Sequence, residues 1–83
     1  MSPFNAKTKR EYQGKNAAFL HMEGYKSPEW ATFLQWKELG FKVNKGSKSC
    51  KILKVVDVDG KDGQPDKAIR TYSVFNREQV SEA

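Results

Sequence analysis

The sequence has few of the residues from which disulfides, catalytic centres and membrane spans are built. Among its 83 residues, Cys50 is the only cysteine and His21 the only histidine. A single cysteine excludes an internal disulfide and is typical of a reducing compartment, so we expect a cytoplasmic location. No apolar run approaches the roughly 20 residues of a membrane-spanning helix, so we expect no membrane partner.

Motifs for catalysis, cofactors and metals are also missing. His21 has no second histidine at a metal-ligand spacing, and no Gly-rich loop ends in Lys-Ser or Lys-Thr. Asp57, Asp59, Asp62 and Asp66 resemble part of a calcium loop, but the flanking helices and the closing glutamate are absent. We therefore expect a protein that is not an enzyme and holds no cofactor and no metal.

Positive charge, in contrast, is in excess and unevenly placed. The net charge is +5 for the whole chain, with +7 on residues 1–56 and −2 on residues 57–83. Such asymmetry favours a polyanionic partner, commonly nucleic acid and more rarely an acidic protein or membrane surface. The alternative is that the lysines only keep a small domain soluble.

The length allows one domain, residues 1–83, with a basic arm at 1–12 and a long hairpin loop at 59–67. Two helices are predicted before the strands. The first covers 16–23, with Asn16 as N-cap and Gly24 as the stop. The second covers 28–39, begun by Pro28 and ended by Gly40. Its helical arc places Phe33, Trp36 and Leu39 on the buried face.

Beyond the second helix the pattern changes to that of strands. Runs at 41–44, 50–58 and 68–75 are rich in β-branched and aromatic residues and are separated by turn residues. Asn76 and Gln79 have the spacing of a capping box. The predicted fold is therefore α+β: two short N-terminal helices packed on a three-stranded antiparallel β-meander, followed by a short C-terminal helical turn.

A lysine series is the strongest electrostatic feature. Lysines recur at every third position from 42 to 54, with no acid between Glu38 and Asp57. A turn at Gly46 could gather several of their ammonium groups around one rim, where they would neutralise phosphates. The residues that we expect to contact phosphates are Lys42, Lys45, Lys48 and Lys51.

Binding of single strands also needs flat side chains on which bases can stack. Tyr12 follows Arg10 by two residues, and Tyr72 follows Arg70 by two, so each ring lies beside a cation on the same strand face. Trp30 has two interpretations, a core residue or a third stacking surface. Arg10, Tyr12, Trp30, Arg70 and Tyr72 complete the predicted nucleic-acid-binding set.

An ordered set of motifs covers the chain from about residue 5 to residue 79. It comprises Arg10-x-Tyr12-x-Gly14-x-Asn16, Trp30-x-Thr32-Phe33-x-Gln35, Val43-x-Lys45-Gly46-x-Lys48 and Val74-Phe75-Asn76-x-x-Gln79. This set resembles the N-terminal single-stranded-DNA-binding domain of ArdC-type antirestriction proteins. The resemblance implies a small α+β domain of plasmids, phages and similar mobile elements that binds single-stranded DNA with little sequence preference. Those relatives continue into a zinc metallopeptidase-like domain, but this sequence has no H-E-x-x-H motif, so we expect no peptidase activity.

Two functional hypotheses follow. The first is non-catalytic binding of single-stranded DNA, or of RNA, in an antirestriction setting. The second is a protein-interaction module that binds an acidic host protein, such as a nuclease or a replication factor, and modulates it.

Overall fold

The computed structural model describes residues 2–60 and 63–83. The elements in chain order are β1 (Phe4–Asn5), α1 (Gly14–Met22), β2 (Glu29–Ala31), α2 (Phe33–Glu38), β3 (Phe41–Val43), β4 (Cys50–Asp59), β5 (Pro65–Asn76) and β6 (Val80–Glu82). A 3-10 turn, Arg77–Gln79, precedes β6. No helix in the described part of the chain is long and apolar enough to cross a membrane.

The predicted three-stranded antiparallel meander on two N-terminal helices is wrong. The described chain is mostly sheet, with 42% of residues in strands and 24% in helices. One sheet is four-stranded and mixed, in the order β1-β2-β5-β4, with β1 parallel to β2 and the other pairs antiparallel. Strand β3 does not pair with β4 but forms a separate two-stranded sheet with β6. Strand β3 is only three residues long, Phe41-Lys42-Val43, and so carries little information about its partner, and no strand was predicted after the helical turn that opens at Asn76.

The predicted helix at 28–39 is in fact a strand followed by a shorter helix. Trp30 and Ala31 pair with Asn76 and Phe75 of β5, so tertiary pairing overrides the local helix signal. Helix α2 begins only after Thr32, which forms a capping box: its hydroxyl accepts from the Gln35 N–H, and the Gln35 side chain accepts from the Thr32 N–H.

The first helix is present, but Asn16 is not its N-cap. Helix α1 starts at Gly14 after Gln13 in extended conformation, so Asn16 lies inside the first turn. Its side-chain amide is therefore available for another partner, the backbone of Leu53 in β4. Helix α1 is held against the edge strand by this contact.

Two apolar clusters lie on opposite faces of the four-stranded sheet. On one face α1 packs Leu20 against the sheet, and we call this the α1 face; its buried members are Leu20, Trp30, Cys50, Ile52 and Val74. The other, the α2 face, is covered by Trp36 and the β3-β6 pair; its buried members are Ala6, Ala31, Trp36 and Val80. Trp36 is buried as predicted, but Phe33 and Leu39 of the expected buried arc are exposed, because α2 presents only one turn to the sheet.

A capping box ends β5 at one end, and a strand pair begins it at the other. At its C-terminal end the predicted capping box is present: Asn76 Oδ1 accepts from the Glu78 N–H, and Gln79 Oε1 accepts from the Asn76 N–H. At its N-terminal end Pro65 pairs with Asp59 of β4. Within the predicted 59–67 loop, residues 61 and 62 lie outside the described part of the structure.

Candidate nucleic-acid interface

The long β4-β5 hairpin carries two cations and an aromatic ring on the α1 face. Its register places Ile52 opposite Tyr72, and Lys54 opposite Arg70. Residues directly opposite in an antiparallel pair share a face, and every second residue returns to it. Lys54, Arg70 and Tyr72 therefore continue the face on which Ile52 is buried. The Lys54 ammonium lies 5.9 Å from the centroid of the Tyr72 ring.

The segment predicted as an extended basic arm folds back on itself beside this hairpin. Asn5 organises the turn, since its side-chain Oδ1 accepts from the N–H groups of Lys7 and Thr8 and its N–H donates to the Arg10 carbonyl. Further along, the Tyr12 N–H donates to the Pro3 carbonyl. This local folding delivers Arg10 and Tyr12 to the same end of the sheet as Tyr72.

A cleft of about 450 Å³ is the result. It is lined by Asn5, Thr8, Arg10, Glu11, Tyr12, Asn16, Thr32, Gln35, Ile52, Lys54, Tyr72 and Val74. Three residues predicted for the site, Arg10, Tyr12 and Tyr72, meet here. Lys54 was part of the lysine series but not of the predicted set; only the hairpin register, which the sequence does not specify, aligns it with Arg70.

Tyr12 forms the boundary between core and cleft. Its ring packs against the apolar cluster of the α1 face, and its hydroxyl accepts from Asn5 Nδ2 at 3.0 Å. Burial raises the pKa of the Tyr12 phenol, and the hydrogen bond from Asn5 offsets part of that rise. The phenol is therefore neutral at physiological pH and keeps a hydrogen to donate.

The basic turn lies in a second groove that shares no lining residue with the cleft. This groove, of about 620 Å³, contains Lys45 and Lys48 but also two acids, Glu23 and Glu78. The Glu78 carboxylate accepts from the N–H groups of Lys26 and Ser27 and so is held in place. The two carboxylates balance the two lysines, and the rim is less positive than the lysine spacing suggested.

The remaining predicted residues are dispersed. Lys42 is exposed on β3, opposite Ser81 of β6. Lys51 lies on the α2 face of the hairpin, where its ammonium donates to the Ser73 hydroxyl. Trp30 is 2% exposed within the α1-face cluster, with Tyr25 packed edge-on at 5.6 Å between ring centroids. The structure supports the interpretation of Trp30 as a core residue, and its buried ring offers no face on which a base could stack.

The residues considered above for catalysis and metal binding are also separated from one another. Cys50 is buried, and desolvation together with the nearby Glu23 raises the pKa of its thiol to about 11. His21 is exposed on α1. Across residues 2–60 and 63–83, no three His, Cys, Asp or Glu side chains gather where they could hold a metal. Asp62 of the aspartate series lies outside the described residues.

Comparison with known proteins identifies the family. The family model for the N-terminal domain of anti-restriction factor ArdC matches residues 1–80, and the chain belongs to this family. The resemblance noted in the sequence is thereby confirmed. Curated proteins give no match.

Two solved structures share the fold. The metal-free crystal structure of the antirestriction protein ArdC from plasmid R388 has a TM-score of 0.86 and 31% identity over 99% of this chain. The Mn(II)-bound crystal structure of that protein has a TM-score of 0.83 and 30% identity over 98% of this chain. This chain spans about a third of the length of those chains, 33% and 35% respectively.

Proposed function

We propose that this domain binds single-stranded DNA without catalysing a reaction, as part of an antirestriction function of a plasmid or phage. The observation that carries the proposal is the cluster of Lys54, Arg70 and Tyr72 on the α1 face, next to the cleft that holds Arg10 and Tyr12. A cytoplasmic site of action accords with the single unpaired cysteine.

Charge supports this surface over the basic turn. The cleft is lined by two cations, Arg10 and Lys54, and by one acid, Glu11, and Arg70 lies opposite Lys54 on the hairpin. The turn groove has two cations against two acids. Because phosphate contacts release condensed counterions, the surface with the larger net positive charge contributes more to the affinity for a polyanion.

Aromatic exposure supports a single strand over a duplex. Tyr72 is 38% exposed at the cleft. An unpaired base can stack on such a ring, a contact that contributes on the order of 1 to 3 kcal/mol. In a duplex the base faces are already covered by neighbouring pairs, so the Tyr72 ring gains no stacking contact there.

A non-catalytic role accords with the state of the one thiol. Cys50 has a pKa raised to about 11 by burial and by Glu23, so it is protonated at neutral pH and is a poor nucleophile. The relatives support the setting, since the family is the N-terminal domain of an anti-restriction factor and the solved structures come from a plasmid protein.

Fluorescence anisotropy with labelled single-stranded and duplex oligonucleotides, over a salt series, tests the proposal. We expect micromolar or tighter binding to the single strand, weaker binding to the duplex of the same length, and steep loss of affinity with salt. Absence of single-strand binding at low salt would contradict the proposal and leave an acidic protein as the partner to seek, by capture from nuclease-treated extract.

A further inference from the structure

The cleft beside Tyr72 has the size of a small-molecule site. Its volume of about 450 Å³ lies within the roughly 300 to 1,000 Å³ of ligand pockets. Ile52 and Val74 are its apolar members, and both belong to the buried cluster of the α1 face. The polar members come from the folded arm and from the start of α2.

The polar side chains in the cleft are held in fixed orientations. Asn5 is 8% exposed, and both of its side-chain atoms are engaged: Oδ1 accepts from two backbone N–H groups, and Nδ2 donates to the Tyr12 hydroxyl and to Gln35 Oε1 at 2.8 Å. Gln35 Oε1 also accepts from the Thr32 N–H. The oxygen of the Gln35 amide is thus fixed by two donors, and its NH₂ group must point the other way.

Several hydrogen-bond donors of the cleft are not used by this network. Gln35 Nε2 and the hydroxyl hydrogens of Tyr12 and Thr32 have no acceptor among residues 2–60 and 63–83. At the rim, Arg10 and Lys54 add cationic donors. A group placed in the cleft is therefore met by hydrogen-bond donors, and it must supply acceptors to offset its desolvation.

We propose that the cleft is a nucleobase pocket that accepts one unpaired base and favours bases with an exocyclic carbonyl oxygen over adenine. This inference rests on the proposed single-strand binding and extends it. Thymine, cytosine and guanine each present a carbonyl oxygen, whereas the acceptors of adenine are ring nitrogens only, and its amino donor lies beside N1 and N7 and meets the donors of the cleft unfavourably. The cations at the rim, Arg10 and Lys54, then lie where the phosphates flanking that base pass.

Anisotropy with labelled oligo(dT) and oligo(dA) of about 12 nucleotides measures the preference directly. We expect oligo(dT) to bind about tenfold more tightly than oligo(dA), the discrimination typical of one well-placed base contact. Tyr12→Phe keeps the ring but removes its donor, and we expect it to reduce that ratio by a few-fold. Thermal unfolding of each variant checks that it folds.

Gln35→Glu is a more specific test than Tyr12→Phe, because it replaces only the NH₂ donor of the amide with an oxygen acceptor. The remaining carboxylate oxygen can still accept from Asn5 and Thr32, while the NH₂ group becomes an acceptor that suits the adenine amino group. The added negative charge weakens both oligonucleotides alike, so the ratio reports the base. We expect the preference to move towards oligo(dA).

Oligo(dA) stacks on itself, which can lower its affinity independently of the pocket. Mononucleotides titrated into the wild-type domain provide a control that is free of this effect. In an NMR titration with mononucleotides, dTMP should shift the Gln35 side-chain NH₂ signals, and dAMP should shift them several-fold less. Equal binding of the two oligonucleotides, an unchanged ratio in both variants, or equal shifts with the two nucleotides would overturn the pocket while leaving single-strand binding in place. Binding of neither oligonucleotide would remove the proposed function and the pocket together.

Discussion

The side chain of Asn16 pairs with the backbone of Leu53 as a neighbouring strand would. Asn16 Nδ2 donates to the Leu53 carbonyl at 2.6 Å, and Asn16 Oδ1 accepts from the Leu53 N–H at 2.8 Å. Strand β4 is an edge strand of the four-stranded sheet, so these two backbone groups have no strand partner. One residue of α1 thus satisfies the sheet edge and fixes the helix beside the cleft.

Removing this pair should loosen the edge without unfolding the domain. We expect Asn16→Ala to lower the free energy of unfolding by about 1 kcal/mol, because both hydrogen bonds are solvent-accessible. The amide of Leu53 should also exchange with solvent markedly faster. Chemical denaturation and hydrogen exchange measure the two effects, with Lys15→Ala as the matched α1 control. Unchanged exchange at Leu53 would show that water satisfies this edge as well as the asparagine does.

Asn76 should be far more sensitive, because its side chain is completely buried. Its Nδ2 donates to the Ser27 carbonyl, and its Oδ1 accepts from the Glu78 N–H. Substitution by alanine leaves both partners unsatisfied, and we expect Asn76→Ala to cost about 2 to 3 kcal/mol of unfolding free energy. Urea denaturation tests this; a loss below that of Asn16→Ala would argue against a structural role for the capping box.

Trp30 should contribute to stability and not to stacking. We expect Trp30→Ala to lower the free energy of unfolding by about 3 to 5 kcal/mol, the usual cost of truncating a buried tryptophan. Since Trp36 is buried as well, single-stranded DNA should leave the intrinsic tryptophan emission of the wild type nearly unquenched. Strong quenching on saturation with DNA would instead place an indole at the interface.

Stability should decline at high pH through Cys50. The pKa of its thiol rises from 9.0 to about 11 on folding, so the folded state retains the proton over a range in which the unfolded chain has lost it. That stabilisation is fully present below pH 9 and disappears as the pH rises to about 11. Tyr12, whose pKa is also raised, acts in the same direction, so the Cys50 part is the difference between the wild type and Cys50→Ala. Parallel pH profiles for the two proteins would contradict it.

The helices, strands and turns were easier to predict from the sequence than the pairing between the strands. The capping box at Asn76 and the β4 and β5 runs were recognisable because each depends on neighbours within a few residues. The helix predicted from Pro28 failed because Trp30 and Ala31 are drawn into the sheet by residues more than 40 positions away. The missed β3-β6 pair has the same origin, because Phe41 and its partner Glu82 are 41 positions apart in the chain.

The candidate site was predictable in part for the same reason. The spacing of Arg10 and Tyr12, and of Arg70 and Tyr72, is local and indicated a ring beside a cation. That these two pairs meet at one cleft depends on the turn built by Asn5 and on the hairpin register. The lysine series suggested a basic rim at the turn, but its position opposite Glu23 and Glu78 is a tertiary feature.

The most direct test of the account compares salt dependence in charge variants on the two surfaces. On single-stranded DNA, each lost phosphate contact should reduce the slope of log affinity against log salt by about 0.7. We predict that Lys54→Ala and Arg70→Ala each show this loss, while Lys67→Ala, on the α2 face of the same hairpin, and the turn variants Lys45→Ala and Lys48→Ala change the slope little. A loss confined to the turn variants, with Lys54→Ala and Arg70→Ala unchanged, would contradict the α1 face as the interface.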